Sequence, residues 1–251
     1  PLQSSSAASD VYKRQLAKDV VRWQGEPVAV VVANKRAVAE DALELVEIDY
    51  EDLDAQLDME TAMDKSTKVI HDDLGNNLFW TRTVNQGDVI EAFKQSHIVE
   101  EVTLDFARHT GVTLETRAIV ADWDSSEERM TIYHNGQAPH MMQSIIAKHL
   151  NISEGLVRII SCDVGGSFGI KVHVYPDEMV TVAVSKLLKR PVKFVADRLE
   201  SYSTDIHSRC HKILGKIGVD DKGKILAFEI DDLSGIGPFS VYPRTSAIET
   251  N

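Results

Sequence analysis

The sequence predicts an α+β fold, and three observations carry that reading. Short runs of alternating apolar and polar residues recur at Ile98 to Phe106, Arg117 to Asp124 and Arg129 to Tyr133, the period of half-buried strands. Segments with apolar residues at helical spacing, His140 to Leu150 and Pro176 to Leu188, stand between and after them. Between those two helical segments, an apolar run from Leu156 to Ile160 leads into Ser161-Cys162-Asp163-Val164-Gly165-Gly166-Ser167-Phe168-Gly169-Ile170-Lys171, three glycines within five residues. Glycine adopts positive φ freely and lets a backbone approach a ligand closely. Successive N–H groups in such a turn form a concave site for oxygen-rich groups.

In chain order, Pro1 to Gln15 is rich in Ser and Ala with no apolar period, and Ser5 to Gln15 resembles an adapter-derived tail. Residues 1–18 are therefore set aside from the fold. Val28-Ala29-Val30-Val31-Val32 is strongly β-prone. A helix starting at Asn34 or Lys35 follows, with Ala37, Val38, Ala42, Leu43 and Val46 near helical spacing, and Glu47-Ile48-Asp49-Tyr50 returns as a short strand. Residues 19–68 thus read as a β–α–β unit ending in a polar loop, Leu53 to Lys68. A domain boundary is expected between about Met63 and Leu78, with a second domain over 78–251.

That second domain opens with Gly87-Asp88-Val89-Ile90-Glu91, where Asp88 is placed to cap a short helix and Glu91 follows three residues later. After the strands and helices already named come a strand at Val192 to Val195 and a hairpin. The hairpin pairs Lys212 to Val219 with Lys224 to Asp232 around Asp220-Asp221-Lys222-Gly223.

Composition narrows the function classes. The apolar fraction of 43% suffices for a packed core, and a formal net charge of −12 argues against nonspecific nucleic-acid binding. Cys162 and Cys210 lack metal-type spacing, so neither a disulfide scaffold nor a cysteine-held iron–sulfur cluster is expected within the chain. No transmembrane span or secretory signal is visible, and the default expectation is a soluble cytoplasmic protein. The glycine cluster is neither the Gly-x-Gly-x-x-Gly dinucleotide fingerprint nor a P-loop, and a structural turn is its alternative reading. No Gly-x-Ser-x-Gly nucleophile elbow occurs. His207, Cys210 and His211 are ligand types without an obvious fourth partner, and hydrogen-bonded histidines are the favoured reading there. Glu115 and Glu200 are candidate acid–base carboxylates with no partner that spacing identifies. His140 could be a ligand or substrate contact, and a helix-start residue is the favoured reading.

Seven motifs in order carry a family resemblance: Gly25-Glu26-Pro27-Val28-Ala29 through Glu47-Ile48-Asp49-Tyr50-Glu51, Thr113-Leu114-Glu115-Thr116-Arg117, Gln137-Ala138-Pro139-His140, the glycine loop, Pro191-Val192-Lys193-Phe194, Asp197-Arg198-Leu199-Glu200, and Asp221 to Ala227. From about Asp19 to Asn251 the sequence resembles the molybdopterin-binding large subunit of the molybdenum hydroxylases, the xanthine oxidase family. Phe168-Gly169-Ile170-Lys171-Val172-His173-Val174-Tyr175-Pro176 is most similar to the branch of aerobic carbon monoxide dehydrogenase large-subunit homologues.

The resemblance implies the C-terminal part of an α/β hammerhead domain followed by the first part of a molybdopterin-binding domain. It implies a molybdenum–molybdopterin cofactor, in the cytosine dinucleotide form, and 2Fe–2S and FAD groups on partner subunits or domains. The implied chemistry is hydroxylation of an aldehyde, N-heterocycle or similar small molecule with water as oxygen source, or oxidation of carbon monoxide. Gln137 would approach the apical oxo ligand of molybdenum with its amide, and Gly166, Ser167, Phe168 and Gly169 would lie against the metal and its dithiolene. No residue here is a direct metal ligand, and the general-base glutamate would lie beyond Asn251, so the chain reads as an internal piece of a longer protein, inactive alone. The alternative is a truncated, non-catalytic homologue acting in assembly or cofactor insertion. Three positions depart from the family: Ser167 stands where a third consecutive glycine is usual, and Gly235 and Pro238 replace an aspartate and an alanine.

Overall fold

The computed structural model describes residues 16–239. Most of the tail set aside above and the stretch after Phe239 lie outside the described residues.

Two sheets organise the chain. Strands β2 (Ala118–Asp124), β3 (Arg129–His134), β4 (Val157–Ile160) and β5 (Val192–Val195) form a four-stranded sheet in the order β4-β3-β2-β5. β1 (Ile98–Phe106), β6 (Cys210–Val219) and β7 (Ile225–Gly235) form a three-stranded antiparallel sheet in the order β1-β6-β7. The period-two pattern that predicts β2 and β3 fixes which face is buried. Ile119, Ala121 and Trp123 on β2, with Met130 and Ile132 on β3, point into the core. Helices α3 (Pro139–Leu150) and α4 (Pro176–Leu188) cover that face. They contribute Met142, Ile145, Ile146, Met179 and Val182 to one cluster. Both helices carry proline in the first turn, where a missing N–H costs nothing.

Pairing direction places the loops. β2 runs antiparallel to β3 and β5, but β3 and β4 are parallel, joined through α3. The C-terminal ends of β3, β4 and β5 and the N-terminal end of β2 therefore meet at one edge of the sheet. The segments 110–117, 135–138, 161–171 and 196–198 all emerge there. Ligands of sheets containing parallel strands commonly sit outside strand carboxyl ends.

The smaller elements mostly follow the sequence. Asp88 caps α2 (Val89–Gln95), its carboxylate accepting from the Glu91 N–H at 3.0 Å. A helix not expected from periodicity, α5 (Arg198–Thr204), is opened by a capping box between Asp197 and Glu200. Glu200 is thereby a capping residue, and its acid–base candidacy lapses.

The N-terminal unit departs from expectation. Its helix forms as α1 (Arg36–Leu43), but Val28 to Val32 and Glu47 to Tyr50 pair with no strand among the described residues. Val30, Val32, Ile48 and Tyr50 are exposed. A β-prone segment becomes a strand only when a neighbour takes up its N–H and C=O groups, and none does so among the described residues. Contacts with β5 and α5 still anchor this part: Arg36 donates to the Val195 carbonyl at 3.1 Å, and a Cβ on Gly25 would sit 2.5 Å from the Ser203 carbonyl oxygen.

One of the family departures, Gly235, finds a local reason. A Cβ at Gly235 would lie 2.5 Å from Cys210 Sγ and 3.2 Å from Met59 Sδ, so only glycine fits between them. The Pro238 carbonyl meets His71 Nε2 at 2.5 Å, a main-chain contact that any residue could make, so nothing in the structure explains proline there.

Candidate functional site

The glycine loop sits at the shared edge and is held from three directions. From the β2 side, Glu115 Oε2 accepts both the Gly165 N–H at 2.7 Å and the Lys171 ammonium at 2.6 Å. The Glu115 N–H returns a bond to the Gly165 carbonyl at 3.3 Å. Burial raises the Glu115 carboxyl, but the bonds from Lys171 and Gly165 outweigh that and hold it below the ordinary glutamate value. Lys171 is only 2% exposed, so a loop residue carries a buried cation whose acceptor lies 56 residues away. The acid–base candidate Glu115 is therefore a structural clamp.

From the helix side, the Tyr175 hydroxyl donates to the Ile170 carbonyl at 2.9 Å. Burial pushes this phenol well above its ordinary pKa, so it stays a donor. Arg117 stacks on the same ring, 3.7 Å from its centroid. The guanidinium also makes a bidentate pair with Asp177 at 2.7 Å and bonds Asp205 at 2.6 Å. His134 and Glu178 extend the network at 3.1 Å. This buried group fixes α4, and hence Tyr175, against β2 and β3.

From the β3 side comes Gln137. Its N–H donates to the Lys171 carbonyl at 3.1 Å, and Ser161 Oγ donates to the preceding Gly136 carbonyl at 2.7 Å. A Cβ at Gly136 would run into the His134 ring. The Ser167 hydroxyl donates to Gln137 Oε1. Parallel pairing of β3 with β4 thus brings together two predicted site residues 30 apart in sequence.

The four remaining predicted residues form the turn itself. Gly166, Phe168 and Gly169 have φ of +96°, +50° and +87°, while Ser167 keeps a negative φ and accommodates its Cβ without strain. Phe168 is 76% exposed, and its ring lies over Gly166, where a Cβ would be 3.1 Å from Cε2.

The chemistry of this edge suits an oxygen-rich group. Among the described residues, the N–H groups of Gly166, Ser167, Phe168 and Gly169 and the amide nitrogen of Gln137 have no acceptor. The first turn of α3 begins beside them with no side-chain cap, presenting the positive end of its dipole. These are donors left without a partner among the described residues, which is what an oxo- and phosphate-bearing cofactor requires. The residues present fit the molybdenum cofactor that the motifs imply.

No group of three metal-ligand side chains occurs among the described residues. Cys210 instead contacts Met59 and the Gly235 carbonyl, and His211 Nδ1 pairs with Asp232 at 3.0 Å. His140 lies exposed in the first turn of α3, as a helix-start residue.

Comparison with known proteins agrees with this geometry. Residues 70–249 match the molybdopterin cofactor-binding domain, and residues 2–54 match the aldehyde oxidase and xanthine dehydrogenase a/b hammerhead domain. The nicotine 6-hydroxylase large subunit of Paenarthrobacter nicotinovorans is 35% identical over 93% of the chain, which spans 29% of that protein. The carbon monoxide dehydrogenase large chain of Hydrogenophaga pseudoflava is 30% identical over 89% of the chain and 30% of its own length. Quinoline 2-oxidoreductase from Pseudomonas putida 86 superposes with a TM-score of 0.88 at 30% identity, covering 93% of this chain and 30% of that one. The chain spans under a third of each of these relatives. Its two matched domains, its mixed α/β architecture and its glycine-loop edge together place it in the molybdenum hydroxylase family, as part of the molybdopterin-binding subunit.

Proposed function

We propose that this chain is a segment of the catalytic subunit of a molybdenum hydroxylase that oxidises an aldehyde, an N-heterocycle or a similar small molecule with water as oxygen source, or carbon monoxide. The reading includes the cytosine dinucleotide form of the cofactor and a cytoplasmic hetero-oligomer with iron–sulfur and FAD subunits. The observation that carries it is the convergence of Gln137 with the Gly166–Gly169 turn at one sheet edge, with a set of donors that take no acceptor among the described residues.

When bound, the molybdenum cofactor supplies the redox chemistry. The chain's own residues bind and orient. Turn N–H groups hold oxygen atoms without reorganising, because Glu115, Lys171 and Tyr175 already fix the loop. Gln137 offers an amide donor at a fixed place. Phe168 presents an exposed apolar ring at the rim, over Gly166. Gln137, Gly166, Ser167, Phe168 and Gly169 are therefore the proposed cofactor contacts. By itself this segment is expected to be inactive, with the general-base glutamate lying beyond Asn251.

Metal content tests the reading. The intact subunit, made in a host that synthesises the cytosine dinucleotide cofactor, should carry molybdenum and release a cytidine nucleotide in equal amounts. Gln137→Leu should retain metal and lower turnover about 10²-fold, the effect of losing one preorganised donor. A folded wild-type subunit that takes up no molybdenum would overturn the enzyme reading and leave the assembly or cofactor-insertion module in its place.

A further inference from the structure

The three residues that close the Gln137 corner form a directional hydrogen-bond ring. The Gln137 N–H donates to the Lys171 carbonyl, the Lys171 N–H donates to Ser167 Oγ at 3.2 Å, and the Ser167 hydroxyl donates to Gln137 Oε1. A hydroxyl has one proton and two lone pairs. One lone pair takes the Lys171 N–H, and the proton goes to Gln137 Oε1, the carbonyl end of the carboxamide. Closed this way, the ring turns Oε1 toward Ser167 and leaves both Nε2 protons without an acceptor among the described residues. Each bond in such a series polarises the next.

Ser167 is also the position at which this chain departs from the run of three glycines. Its backbone explains why a side chain is tolerated, since φ is negative there while Gly166, Phe168 and Gly169 are left-handed. Glycine at this place would leave the same turn but no hydroxyl, and the carboxamide could rotate about its last torsion. With Gln137 read as the donor toward the cofactor, we propose that Ser167 is a positioning residue that locks the amide of Gln137 with its nitrogen outward. The buried Lys171, anchored by Glu115, supports the lock by fixing the N–H that orients the serine.

The side-chain amide signals of the chain labelled with 15N-glutamine test this without cofactor. The Gln137 pair, assigned by its loss in Gln137→Leu, should be displaced from free glutamine in the wild type. Ser167→Ala should move it to the free position and speed its proton exchange about fivefold, the loss of one net hydrogen bond. Ser167→Thr, which keeps a hydroxyl, should retain the wild-type signals. An unchanged pair in Ser167→Ala, or equal displacement in both variants, would overturn the proposal. Molybdenum content of the wild-type intact subunit separates the two readings. A metal-free subunit sinks the cofactor role and leaves the amide result standing, whereas a loaded subunit with unmoved Ser167→Ala signals sinks the positioning role alone.

Discussion

The two halves of the Glu115–Lys171 ion pair should not be equally costly to remove. The Lys171 side chain is 1% exposed and that of Glu115 is 39% exposed. Glu115→Leu strands a buried ammonium that has no other acceptor among the described residues. Removing one partner of a fully buried pair costs about 3–5 kcal/mol. Water reaching the carboxylate side screens this one, so about 2–3 kcal/mol is expected. Lys171→Met instead keeps the buried chain's volume and leaves Glu115 with the Gly165 N–H and solvent, for a loss of about 1 kcal/mol. The double variant should fall near Lys171→Met, because the stranded charge is gone, giving a coupling of about 1–2 kcal/mol. Urea unfolding at constant m-value measures all three. Lys171→Met costing as much as Glu115→Leu, or a double variant equal to the sum of the singles, would refute the account of Lys171 as a buried cation held by one acceptor.

Three further outcomes follow from the same edge. Because the folded Glu115 lies below its ordinary pKa, its stabilisation is fully present above the unfolded value of about 4.3 and is lost as pH falls through the folded value, so Glu115→Gln should flatten the acid limb of a stability–pH profile. Arg117→Met leaves Asp177, Glu178 and Asp205 facing one another in the core, and thermal unfolding should register a loss of about 3–5 kcal/mol, or roughly 10 °C. A Cβ at Gly165 would lie 2.5 Å from Glu115 Cβ, whereas Gly169 faces open space with φ +87°. Gly169→Ala should therefore cost about 1–2 kcal/mol of backbone strain, and Gly165→Ala clearly more by the same chemical-denaturation measurement.

How much of this was legible in the sequence depended on whether the relevant partner was local. β1, α4 and β5 occupy the predicted spans, since each is set by periodicity or by proline and glycine punctuation within the element. α5 escaped a periodicity reading because it is seven residues long and is specified by its capping box instead, a signal already present in Asp197 and Glu200. The expected strands at Val28 to Val32 and Glu47 to Tyr50 failed for the opposite reason. Their composition is right, but a strand is a property of a pair. Within the site, Gln137 and the turn were read through motif resemblance, while Lys171 and the clamping role of Glu115 were not. An apolar-flanked lysine after a glycine turn looks like a solvated cation until the β2–β3 and β3–β4 pairings together bring residues 115 and 171 to one edge.

The clamps on the loop also account for the strain at the rim. Phe168 adopts a left-handed conformation, φ +50°, which costs a residue with a Cβ about 1–3 kcal/mol. Glycine would relieve it, yet the ring is what covers Gly166, and it stays 76% exposed, so burial does not repay the strain. The conformation is imposed from either side, by the Glu115 bond to Gly165 and by the Tyr175 bond to Ile170. A loop clamped at both ends around a strained, exposed aromatic is organised for something outside the fold. Phe168→Gly should accordingly leave stability unchanged or raise it, while weakening retention of molybdenum in the intact subunit. A purely structural phenylalanine would do the reverse, lowering the unfolding midpoint with metal retention intact.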